Sequence, residues 1–165
     1  LGAAQRAWGP RIQANKEAAT ERAVFDVVPG AKAIEKKALA QRQVYRCLDG
    51  EGRLVGWGIP TSGYGFADKI SMVVGLSADG GTITGLKVTG NIETPGLGNK
   101  IEDEDWRVQF GRLDATRPVA VTKGSADKAR NEIQAVTGAT ISSTAVATIA
   151  SATIAEVRGQ LDSLR

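Results

Sequence analysis

The stretch "AVTGATISSTAV", residues 135–146, is where an extended segment turns into a helix. Gly138 supplies the backbone freedom for a sharp turn. Thr140, Ser142 and Ser143 sit where the helix begins, and any of them can cap its free N–H groups. Downstream, apolar residues fall at 146, 149, 150, 154, 157, 161 and 164. That spacing predicts one long helix, from about Ser143 to Leu164, with an apolar face laid on a sheet.

Upstream, the pattern changes to strands. "EIQAV" (132–136) and "PVAVTKG" (118–124) each read as a short strand. "EDEDWRVQF" (102–110) reads as one or two helical turns, with Trp106 and Phe110 facing inward at i,i+4. "ISMVVGLSADGGTITGLKVTG" (70–90) gives two strands turning at Asp79–Gly81. "QVYRCLDGEGRLVGWGIP" (43–60) gives two more around Asp49–Gly52, a hairpin signal. "TSGYGFADK" (61–69) and "NIETPGLGNK" (91–100) read as glycine-bearing loops. Residues 31–42 read as a short helix or a loop. A helix is expected from Arg11 to about Val27, with Ile12, Ala19, Ala23 and Val24 on one face and a stop at Pro29–Gly30. Residues 1–9 read as loose. The expected fold is α+β: an antiparallel sheet with flanking helices and a long C-terminal helix.

Composition bounds the chemistry. The 165 residues suit one domain, and the net charge of +3 is too small to argue for nucleic acid. No histidine is present, which removes Ser-His-Asp triads, His general bases and most zinc sites. Cys47, the one cysteine, lies in an alternating run and reads as a small buried hydrophobe. No run of 18 apolar residues occurs, so no segment reads as a membrane span. "GWGIPTSGYG" leads to a strand and lacks the G-x-G-x-x-G order, and "GLGNK" lacks the G-K-[ST] order of a phosphate loop. The acidic run Glu102–Asp105 reads as a solvated helix start, where negative charge is favoured.

The hydroxyls at 137–143 admit two readings on physical grounds. One is an ordinary helix cap. In the other, exposed N–H groups and hydroxyls at a helix N-terminus hold a phosphate, and one threonine is covalently joined to it. "ETPGLG" (93–98) combines a stiff proline with glycines that permit close backbone approach to another body. "SGYG" (62–65) adds a flexible loop with one aromatic.

Taken together, "SGYG", "ETPGLGNK" and "AVTGATISSTAV", in that order, with "VVPGA" at 27–31, resemble the FMN-binding domain family. That family includes the G subunit of Rnf electron-transport complexes and the C subunit of Na⁺-translocating NADH:quinone reductases. The resemblance covers residues from about 24 to 160 and is nearer to the first of these. It implies a flavoprotein electron carrier whose FMN is joined by a phosphoester to Thr140, the last residue of "TGAT". A flavin transferase makes that bond, with FAD as donor and Mg²⁺. Thr137, Gly138, Ala139, Ser142 and Ser143 would surround the attachment point. Glu93, Thr94, Leu97 and Gly98 would lie against the isoalloxazine ring, with Tyr64 and Gly65 nearby.

The resemblance further implies an electron-transfer subunit of an oxidoreductase complex of the ferredoxin:NAD⁺ type rather than a stand-alone catalyst. Its partners would be other subunits of a membrane-bound, ion-translocating assembly. A single membrane anchor would precede Leu1, residues 1–23 would link it to the domain at 24–165, and the domain would lie on the extracytoplasmic, periplasmic side. The family usually places Asp three residues before the first hydroxyl of this motif; here the position holds Gln134, and Glu132 is two residues out of register. The alternative reading is a binding or interaction module of the same fold that carries no flavin.

Overall fold

A computed structural model describes residues 2–65, 68–90 and 98–165, with side chains of the first helix described from Ala14. Helix α1 (Gly2–Val27) leads into six strands: β1 (Ala33–Leu39), β2 (Arg42–Leu48), β3 (Leu54–Tyr64), β4 (Lys69–Ser77), β5 (Thr82–Gly90) and β6 (Leu113–Asp114). They pair in chain order as one antiparallel sheet. Between β5 and β6 lie a 3₁₀ turn (Gly98–Glu102), the short helix α2 (Glu104–Arg107) and a second 3₁₀ turn (Val108–Phe110). The chain then adds β7 (Ala120–Thr122) and β8 (Glu132–Gln134), which pair in parallel as a separate ribbon. It ends with α3 (Thr140–Val157) and a 3₁₀ turn over Arg158–Leu164.

Two hairpin turns are made by aspartates. Asp49 Oδ1 accepts from the N–H groups of Glu51 and Arg53, and Asp79 Oδ1 accepts from Ser77 Oγ and Gly81 N–H. These bonds to the charged form hold both carboxyls below the usual carboxylate range. Residues 31–42, expected as a helix or loop, instead contribute β1 and the turn into β2. That turn carries Ala40 at φ 54°, a left-handed conformation without a glycine or asparagine to advertise it. Strand β3 also runs past the expected loop boundary, through Pro60 to Tyr64. Its pairing with β2 ends at Tyr45↔Gly58, so Pro60 sits where only β4 remains as a partner.

The sheet has a different core on each face. Met72, Val74 and Leu76 of β4 join Trp57, Ile59, Ile83 and the inner face of α3. Val73, from the same strand, joins Tyr45, Cys47 and Ala23, Val24, Val27 and Val28 from the end of α1. Of the α1 residues expected to share a face, Ala23 and Val24 are fully buried. The helix itself begins at Gly2, so residues 2–9 are helical rather than loose. Burial pushes the Cys47 thiol up to about 12, so it is an inert core group.

α1 packs onto bare backbone. A Cβ at Gly75 would stand 2.2 Å from the Val27 carbonyl oxygen, and one at Gly58 would stand 2.6 Å from Val24 Cγ1. The Val27 carbonyl also accepts from Thr84 Oγ1 at 2.7 Å, and Lys87 pairs with Asp26 at 2.6 Å. On the opposite face, Val146, Ala150, Ile154, Val157 and Leu161 of the expected apolar set are buried, together with Ala147, while Ile149 and Leu164 are half-buried at its margin. By length and composition Thr140–Leu164 could cross a membrane, but 44% of that window is buried within the fold.

Asn131 secures the ribbon to the sheet. It is 1% exposed and adopts φ 58°. Its Nδ2 donates to the carbonyls of Asp114, Arg117 and Pro118, and its Oδ1 accepts from Asp114 N–H at 2.7 Å. The two N–H donors of the amide are thus shared among three carbonyls, and its oxygen takes one backbone N–H.

Gly75→Ala is expected to cost roughly 1–3 kcal/mol or more by forcing α1 off the sheet. Gly50→Ala, where the new Cβ would meet Lys32 at 4.0 Å, serves as the control. Urea denaturation compares them, and equal midpoints would contradict the close packing.

Candidate functional site

The turn from β8 into α3 is built by a network of short bonds. Gly138 takes φ 78°, which reverses the chain at small cost. The Ala139 N–H donates to the Val136 carbonyl at 2.9 Å. Ser143 Oγ accepts from Val136 N–H at 2.9 Å and donates to the Ala139 carbonyl at 2.9 Å. Ser143 is fully buried and Ser142 is 3% exposed. The two serines expected beside the cofactor therefore lie in the interior. Ser143 joins strand to helix, because its place on α3 turns it toward the core.

α3 begins without a side-chain cap. Its N-cap is Ala139, which has no side-chain acceptor to offer the first N–H groups. None of the three hydroxyls fills the expected N-cap position; Thr140 is instead the first residue of the helix and is half-buried. Thr137 and Gly138, in the turn before it, are exposed.

Thr140 opens a groove of about 360 Å³, shared with Tyr64, Gly65, Ile141, Thr144, Ala145, Thr148 and Ile149. Tyr64 is 80% exposed and Ile141 61% exposed, an unusual pairing of large apolar surfaces beside a helix start. The structure thus brings together Thr140, Tyr64 and Gly65 from the sequence-expected set. Gly98 is buried in the 3₁₀ turn and does not line the groove. Glu93, Thr94 and Leu97 lie outside the described residues. The helical lining residues were not foreseen, although 140/144/148 and 141/145/149 recur at i,i+4, the spacing of one surface stripe.

The strand feeding this turn is clamped from α2 and from the 3₁₀ turn that follows it. Trp106 Nε1 donates to the Gln134 carbonyl at 2.8 Å, and Trp106 stacks edge-on against Phe110 with centroids 5.6 Å apart. Gln109 Oε1 accepts from Gln134 N–H at 2.7 Å, and Gln109 Nε2 donates to the Gln134 carbonyl at 3.2 Å. Gln134 itself is exposed. Among the described residues no group of three or more His, Cys, Asp or Glu side chains is placed to hold a metal ion.

The fold and groove define an α+β domain with an open, partly apolar site at a helix N-terminus. Residues 65–155 match the FMN-binding domain. The G subunit of the Na(+)-translocating ferredoxin:NAD(+) oxidoreductase complex of Acetobacterium woodii is 38% identical over 143 residues, spanning 81% of this chain and 67% of that protein. The G subunit of the ion-translocating oxidoreductase complex of Methanosarcina acetivorans is 35% identical over 134 residues, spanning 81% of this chain and 68% of that protein. The crystal structure of Shewanella oneidensis NqrC has the same fold, with a TM-score of 0.68 at 22% identity over 86% of this chain and 73% of that one. The chain belongs to the FMN-binding domain family.

Ser143→Ala is expected to lower stability by about 1–3 kcal/mol, because the buried Val136 N–H loses its acceptor. Urea denaturation measures it. A change within about 0.5 kcal/mol, the ordinary range for surface substitutions, would contradict the role of this joint.

Proposed function

We propose that this chain is an FMN-carrying electron-transfer subunit of an ion-translocating redox complex, with FMN joined through its phosphate to Thr140. The observation that carries this reading is the groove that gathers Thr140, Tyr64 and Gly65 at the uncapped start of α3. The names of the Acetobacterium and Methanosarcina relatives, both subunits of ion-translocating oxidoreductase complexes, support the setting. The residues present suit the group. Thr140 offers a hydroxyl at the rim. The helix N-terminus carries roughly half a positive charge, which favours the one negative charge a phosphodiester keeps. Ile141, Ala145, Ile149 and the face of Tyr64 offer apolar surface for a flat ring.

In the attachment step the Thr140 hydroxyl displaces AMP from FAD, assisted by a flavin transferase and Mg²⁺. A P–O bond forms at the flavin-side phosphate, the pyrophosphate bond breaks, and the hydroxyl proton passes to a base. Bound flavin supplies the redox chemistry, and the protein supplies position and environment. A covalent tether suits an open site, since an exposed cofactor would otherwise be lost by dissociation. Residues 1–23 would connect a preceding membrane anchor to the flavin domain at 24–165, placed on the extracytoplasmic side. The other subunits of the complex would be its redox partners.

Co-expression with a flavin transferase followed by intact-mass measurement tests this directly. The wild-type chain is expected to gain one FMN and Thr140→Ala none. An unmodified wild-type chain would overturn the reading.

A further inference from the structure

Among the described residues, the three-residue strand β8 has one strand partner. On one side it pairs with β7, through Val121↔Ile133 and Thr122↔Gln134, and the Ala135 N–H donates to the Thr122 carbonyl at 2.8 Å. On its other flank the neighbour is a side chain. Gln109 meets both backbone groups of Gln134, accepting from its N–H at 2.7 Å and donating to its carbonyl at 3.2 Å. Gln109 Nε2 also donates to the Trp106 carbonyl at 3.0 Å, which fixes the plane of the amide. Trp106 Nε1 completes the set on the Gln134 carbonyl at 2.8 Å.

A primary amide is suited to this task, because it carries the donor and acceptor of a peptide group. The clamp has two effects. It holds Ile133 fully buried and Gln134 exposed, so the strand presents one face outward whatever residue occupies position 134. It also fixes the end of the strand only a few residues before the Gly138 turn, from which Thr140 is displayed.

We propose that Gln109 is a positioning residue for flavin attachment, acting as a surrogate third strand that holds Gln134 and the following turn in the arrangement a flavin transferase engages. The proposal rests on the reading of Thr140 as the attachment point. Gln109 does not touch the reacting atoms. Its loss lowers the fraction of chains in the engaged arrangement, which raises the apparent KM for the chain and leaves turnover of the bound complex unchanged.

The test uses purified flavin transferase with FAD and Mg²⁺, and initial rates of FMN incorporation against chain concentration. Gln109→Leu removes both bonds to Gln134, and Gln109→Glu keeps the acceptor while losing the donor. Assays run where each variant is folded. Two hydrogen bonds of ordinary strength translate to a KM rise of roughly tenfold or more for Gln109→Leu. A KM rise is expected for Gln109→Glu as well, with kcat within about twofold of wild type in both. Native-state amide exchange should speed up at Gln134 and leave β4 unchanged, a localised signature that global destabilisation would not produce. Unchanged KM in both variants, a loss confined to kcat, or exchange accelerated across the whole sheet would overturn the proposal. A wild-type chain that takes up no FMN would overturn this and the Thr140 reading together. Wild-type modification with normal KM in the variants would overturn this one alone.

Discussion

The hydroxyl of Ser143 ties the end of β8 to the start of α3, and the placement of the groove depends on that tie. It accepts from the strand at Val136 and donates to the helix at Ala139, both at 2.9 Å. With Gly138 supplying the reversal, the rotation of α3 about its axis is fixed. Val146, Ala147, Ala150 and Ile154 then point into the core. Thr140, Thr144 and Thr148 line the groove. A helix advances about 100° per residue, so rolling it by one position would move Thr140 away from Tyr64. Which hydroxyls face the groove and which face the core is thus set by a buried bond rather than by any property of threonine.

That joint is held at both ends by rigid parts. Downstream, α3 lies on a sheet whose opposite face admits α1 to van der Waals contact with backbone at Gly58 and Gly75. Upstream, β8 is held by Asn131 at its entry and by Trp106 and Gln109 at its exit. The site therefore sits on fixed elements rather than on a mobile loop, which suits a group that must hold a cofactor in place.

Much of this was legible in the sequence. The period of 146, 150, 154 and 157 announced α3, and Asp49–Gly52 and Asp79–Gly81 announced two hairpins, because each signal is local. The β1–β2 hairpin was not legible: Ala40 adopts a left-handed turn conformation that only the pairing of its flanking strands makes worthwhile. The extent of β3 was hidden by Pro60 and by the glycine at 63, which a single sequence reads as punctuation. At the site, "TGAT" marked the turn; as helix caps the hydroxyls at 140, 142 and 143 were equivalent, and only the family resemblance singled out Thr140. Ser142 and Ser143 are separated from Thr140 only by which way the folded helix faces. Gln109 and Asn131 carried no signal, since their partners are backbone groups 25 and 13–17 residues away.

The most direct measurement is tandem mass spectrometry of the tryptic peptide Asn131–Arg158 from chain matured with a flavin transferase. This peptide holds Thr137, Thr140, Ser142, Ser143 and Thr144, so it sets the competing hydroxyls against one another. The account predicts a single FMN phosphoester on Thr140, with the buried serines unmodified. FMN on Thr137 or Thr144, or on either serine, or released intact on denaturation, would contradict it.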